Sequence, residues 1–73
     1  MTANDILQVL QDSNIPCYLD SHNPDYTVHF DCMNRAFIFD KLILGWTLFE
    51  LGISGAQGEV TTKEELVTLI NNL

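Results

Sequence analysis

Phe37-Ile38-Phe39-Asp40-Lys41-Leu42-Ile43-Leu44-Gly45-Trp46-Thr47-Leu48-Phe49-Glu50-Leu51-Gly52-Ile53 is the stretch on which the fold turns. Read as one helix from Asn34 to Leu44, its apolar residues wrap nearly all round, so no amphipathic period emerges. Read as strands, alternate side chains leave opposite faces. Phe37 and Phe39 then oppose Ile38, and Trp46 and Leu48 oppose Phe49, Leu51 and Ile53. The reading is therefore a strand at Ala36–Phe39 and another at Trp46–Leu51, the latter rich in aromatic and β-branched types. Asp40 to Leu44 fits a helical turn or a strand start equally well. A sheet built this way is apolar on both faces.

Working towards the N-terminus, Tyr26 to Asp31 reads as a strand, with Tyr26, Val28 and Phe30 on one side and Thr27, His29 and Asp31 on the other. Cys32-Met33-Asn34-Arg35 is its hairpin connection to Ala36. Ser21 to Asp25 is a turn by composition, and Cys17 to Asp20 a short strand. Ala3, Ile6, Leu7 and Leu10 share one face of a helix over about Ala3 to Ser13. Thr2 and Asp5 offer that helix a capping box, and Ile15-Pro16 stops it, because the residue before proline is pushed out of the α region.

Towards the C-terminus, Gly52 to Glu59 reads as a glycine-rich loop. A helix follows over Lys63 to Asn71, capped by Thr61 with Glu64 or Thr62 with Glu65 and striped by Leu66, Leu69, Ile70 and Leu73. The expected architecture is a single α+β domain over residues 1–73. It has a small antiparallel sheet of three to four strands, with an N-terminal and a C-terminal helix packed on one face, in the order α-β-β-β-β-α.

Two helices of about 15 Å each, at 1.5 Å per residue, cover one face of such a sheet and not both. The second face calls for another copy, a partner, or the glycine-rich loop laid across it. A contiguous apolar patch left over marks an interaction site.

Ten acids against three bases give a net charge of −7. Phosphate binding depends on Lys and Arg, so nucleic acid is a poor partner, and so is an anionic membrane surface. A basic protein surface is attracted and its encounter steered. Asp5 stands where a secretory leader would carry Lys or Arg, and no apolar run approaches the roughly 20 residues a bilayer needs, so a cytoplasmic protein is expected.

Candidate chemistry is sparse. Cys17, His22, His29 and Cys32 are all possible zinc ligands, but the close C-x2-C pair is missing and His29 and Cys32 leave a strand in divergent directions. The same residues drawn as Cys-His-Asp catalysis, with Asp20, Asp25 or Asp31 as orienter, lack the electropositive setting a thiolate needs. Gly52 to Gly58 holds no Lys or Arg and matches no phosphate-binding fingerprint. No catalytic, cofactor-binding or metal-binding residue is therefore assigned.

These features favour a non-enzymatic protein-binding regulator or inhibitor that self-associates as a homodimer and masks a basic surface of a partner protein. The assigned partner-binding residues are Phe37, Phe39, Trp46 and Phe49 as apolar anchors and Asp40 and Glu50 as acidic rim. Small size, acidity and the lack of a catalytic constellation resemble, as a class, the small acidic inhibitors of phages and mobile elements. Antagonists of bacterial defence such as anti-CRISPR proteins belong to that class, as do immunity proteins that neutralise basic toxins. No residue motif carries this resemblance. The competing readings are a structural or assembly subunit forming a homo-oligomer, at its simplest a homodimer, through the apolar sheet face, and a tiny oligomeric cysteine enzyme.

Overall fold

The computed structural model describes residues 1–73 as α1 (Ala3–Asp12), β1 (Cys17–Leu19), β2 (Thr27–Cys32), β3 (Arg35–Lys41), β4 (Trp46–Glu50), β5 (Ala56–Val60) and α2 (Lys63–Asn71). The strands form one five-stranded sheet in the order β1-β2-β3-β4-β5, every neighbouring pair antiparallel. The α+β class and the terminal helices agree with the sequence reading. The strand number does not: it is five, not three to four.

The extra strand is β5, inside the stretch read as a loop. Its residues, Ala-Gln-Gly-Glu-Val, carry almost no β signal. Pairing with β4 holds them instead, with Trp46 opposite Val60 and Thr47 opposite Glu59, and one irregularity of register beyond Leu48. Gly58 has a packing reason: a Cβ there would stand 2.7 Å from Leu69 Cδ1, so its absence lets α2 close onto the strand. The glycine-rich segment thus forms the sheet's edge and does not cross its second face.

Both helices start as expected. Thr2 and Thr62 each accept from the backbone amide three residues on, and Asp5 and Glu65 reach back to complete capping boxes. The end of α1 is set more sharply than the Ile-Pro signal requires. Asn14 takes a left-handed φ of 60°, and the amides of Asn14 and Ile15 bond the carbonyls of Gln11 and Leu10, a Schellman closure with asparagine in the usual glycine place. The β2–β3 hairpin turns on Met33 and Asn34, both at positive φ (55° and 61°), as a two-residue turn matched to strand twist requires.

The core lies on one side of the sheet. Ala3, Ile6 and Leu10 of α1 and Leu66 and Ile70 of α2 bury against Val28, Phe30, Phe37, Phe39, Trp46, Leu48 and Val60. Phe30 stacks on Phe37 at 5.0 Å and on Phe39 at 5.4 Å between centroids. The Trp46 indole Nε1 donates to the Met1 carbonyl at 3.0 Å, tying the N-terminus to β4. No helix is long and apolar enough to cross a membrane.

Candidate functional site

The β3–β4 connection settles the segment that the sequence left open. Asp40 and Lys41 complete β3, and Leu42 to Gly45 form a tight turn closed by the Leu42 amide donating to the Gly45 carbonyl at 2.7 Å. Gly45 is required by close approach, since a Cβ would meet the Val60 carbonyl oxygen at 2.7 Å. The turn therefore projects beyond the sheet with nothing above it. Leu42, Ile43 and Leu44 are 51%, 97% and 86% exposed. Hairpin turns ordinarily carry Gly, Asn, Asp, Pro or Ser. Three consecutive aliphatic side chains in water at such a tip contribute nothing to this chain's own core.

Around the tip the surface mixes apolar residues with Lys41 and Glu59. Tyr26 is 60% exposed beside it. An open groove of about 810 Å³ on the flank is lined by Tyr26, Leu42, Leu44, Thr47 and Glu59 among others. Lys41, the local cation, lies back over the Trp46 ring at 5.6 Å from its centroid. Asp40 accepts from the Thr27 hydroxyl at 2.7 Å and has no cationic partner.

The sheet face away from the helices is uncovered. Its central row, read from the pairings, is Tyr18, His29, Ile38, Phe49 and Ala56. The flanking row is Thr27, Asp40, Thr47 and Glu59. Ile38 and Phe49 are half-buried by their neighbours alone and lie outside the core cluster. Tyr18 stacks on His29 with centroids 4.7 Å apart and rings 6° from parallel. The Asp20 Oδ1 meets His29 Nε2 at 2.7 Å, while Oδ2 accepts the backbone amides of His22 and Asn23 at 3.0 and 2.9 Å. The His29 hydrogen bond, then the two amides, hold the Asp20 carboxyl below its ordinary range.

The expected partner-binding residues divide. Phe37, Phe39 and Trp46 are 1%, 0% and 1% exposed, which corrects their assignment as anchors. The pleat turns them under the helices, where they form the centre of the core. Phe49, one residue out of phase with Leu48, does reach the uncovered face. Glu50 is consumed internally: Arg35 Nε and Nη2 donate to its two carboxylate oxygens at 2.9 and 2.6 Å, which lowers its pKa. Asp40 lies near the end of β3, next to the turn. The exposed aliphatic residues are instead Leu42 to Leu44, part of the apolar stretch that the sequence reading leaves unassigned. Their signal was an aliphatic run just before Gly45, where a hairpin tip expects polar residues.

The cysteine–histidine set does not converge. Cys17 pairs with Phe30 and Cys32 with Arg35, which places both on the helix side, whereas His29 projects from the other. The Cys17 thiol donates to the Leu7 carbonyl at 3.7 Å, and desolvation pushes it up from its ordinary pKa. No group of three or more His, Cys, Asp or Glu is placed to hold a metal ion. No family model, curated protein or solved structure matches this chain.

Proposed function

We propose that this chain is a non-enzymatic protein-binding regulator or inhibitor. In this reading the Leu42–Ile43–Leu44 tip enters an apolar cleft on a partner protein, and the surrounding acids meet basic residues at the rim. The observation that carries it is the exposure of all three aliphatic residues at a turn the fold does not need them to occupy. The tip is narrow and convex, which suits insertion into a concave surface. Asp40 and Glu59 lie near it without ion-pair partners and suit a basic rim. The setting of small acidic inhibitors from phages and mobile elements suits the size and charge, and a cytoplasmic location suits such a role.

The homo-oligomer reading is favoured by Ile38 and Phe49 on the uncovered face. Two copies meeting face to face would bring together two faces that each carry Asp31, Asp40 and Glu59 and no lysine or arginine, and juxtaposed like charges are unfavourable. A heterologous partner avoids that cost.

The test is site-directed photo-crosslinking in the cells that express the protein. A photoreactive residue at position 43 should give one dominant adduct with a protein of basic surface. The same residue at position 11, exposed on α1, should not. Adducts of equal yield at both positions, or only with another copy of this chain, would overturn the reading.

A further inference from the structure

The sheet sorts the protein's charges by side. Arg35 and Lys41 share the parity of Phe37 and Phe39 on β3, so both leave on the helix side, and Lys63 belongs to α2. These are all the lysines and arginines the chain has. The uncovered face carries Asp20, Asp31, Asp40 and Glu59 around the apolar row, and no permanent cation. Asp31 makes no side-chain hydrogen bond or ion pair. Net acidity alone would scatter cations over both sides. This arrangement leaves one sheet face purely acidic around an apolar centre, a combination complementary to a basic, partly apolar peptide segment.

One end of the row narrows the chemistry further. Tyr18 lies on the edge strand β1, 61% exposed, with one ring face against His29. Asp20 locks His29 from behind, so the Tyr18 ring is presented at a fixed orientation. Its outer face is open beyond the sheet edge, and Asp31 leaves the same side of β2 two residues from His29. A planar cation can stack on that outer ring face, with the acids of the sheet face supplying the surrounding field. A guanidinium has the required plane, and an ammonium does not.

We propose that the uncovered sheet face binds an arginine-bearing basic segment of a partner protein, with the guanidinium over the outer face of Tyr18 and an apolar neighbour over Ile38 and Phe49. This deepens the preceding reading and rests on it only in taking the partner to be a protein. The apolar row is separate from the hairpin tip, and Asp40 and Glu59 border both.

The probe is a short unstructured peptide of alternating arginine and leucine, with a lysine–leucine peptide of equal charge as comparator. Backbone amide shifts of the full chain are followed by NMR at moderate salt. The arginine peptide should give saturable shifts centred on Tyr18, His29, Ile38 and Phe49, and should bind at least about threefold tighter than the lysine peptide. Tyr18→Ala should abolish that preference. Asp31→Asn, which removes one acid and leaves the ring in place, should weaken both peptides by a similar few-fold factor. Ile43→Ser should bind both peptides as wild type does, so loss of tip function and loss of face function separate. Equal affinity for the two peptides would overturn the proposal. So would shifts spread over Glu64 and Glu65 of α2. Concentration-dependent shifts on the face of the protein alone would assign it to a second copy and overturn the proposal equally.

Discussion

Trp46 and Ile43 stand three residues apart in sequence, and the account requires opposite behaviour from them. Trp46 is 1% exposed, packed in the core and hydrogen-bonded to Met1. Truncating a buried tryptophan to alanine costs about 3–5 kcal/mol. A chain of 73 residues has a total stability of roughly 4–11 kcal/mol by per-residue scaling. Trp46→Ala therefore removes a large part of the fold's stability. With a urea slope of about 1 kcal/mol/M, suited to a domain this small, the midpoint should fall by roughly 3 M or more. Ile43 is 97% exposed, and a surface change of that kind stays within about 0.5 kcal/mol, so Ile43→Ser should move the midpoint by no more than about 0.5 M. Urea titration by far-ultraviolet circular dichroism reads both variants without depending on tryptophan emission. If Trp46→Ala lost less than about 1 M, or Ile43→Ser lost as much as Trp46→Ala, the division into core and projecting tip would be refuted.

Other consequences follow from single positions. Met33 holds a left-handed φ of 55° in the β2–β3 turn. Met33→Asn should stabilise the protein by about 1 kcal/mol in the same titration, and an unchanged or lowered midpoint would contradict the turn assignment. Gly45→Ala drives a Cβ to 2.7 Å from the Val60 carbonyl oxygen, a backbone atom that cannot swing aside. It should cost about 1–3 kcal/mol, visible as a lowered melting temperature. Asp5, Asp20, Glu50 and Glu65 are all held below their ordinary range, chiefly by hydrogen bonds to Thr2, His29, Arg35 and Thr61 respectively. A depressed carboxyl contributes stability that is present above its unfolded pKa of about 4 and is lost as pH falls through the folded value. Denaturation midpoints should accordingly change little on account of these groups between pH 7 and 5 and fall below about pH 4; a loss at pH 5–7 attributable to them would contradict the four contacts.

Local signals carried much of the fold into the sequence. The capping boxes at Thr2 and Thr62 mark helix starts because the residues that satisfy the free amides are close in sequence. The alternation in Tyr26 to Asp31 and Ala36 to Phe39 marks strands because their two sides meet different surroundings. β5 was illegible because its stability comes from the neighbouring strand and from α2 over Gly58, neither of which is local. The site failed in a related way. Trp46 and Phe37 are the residue types that anchor interfaces, but the same size makes them the best core fillers. Only the sidedness set by Val28, Phe30 and Leu48 decides between those uses. Once Leu42 to Leu44 are known to form a turn and not a helix, their exposure follows, and that choice was open to the sequence reading.

The claim that the tip anchors a partner while the acids steer it is tested most directly by binding kinetics against the protein captured through position 43. Wild type, Ile43→Ser and Asp40→Asn are compared by surface plasmon resonance across a salt series. The account predicts that Ile43→Ser mainly speeds dissociation, by at least about thirtyfold if the residue is a hot spot worth about 2 kcal/mol. Asp40→Asn should mainly slow association and flatten its salt dependence. Dissociation unchanged in Ile43→Ser, with association equally salt-dependent in Asp40→Asn, would contradict it.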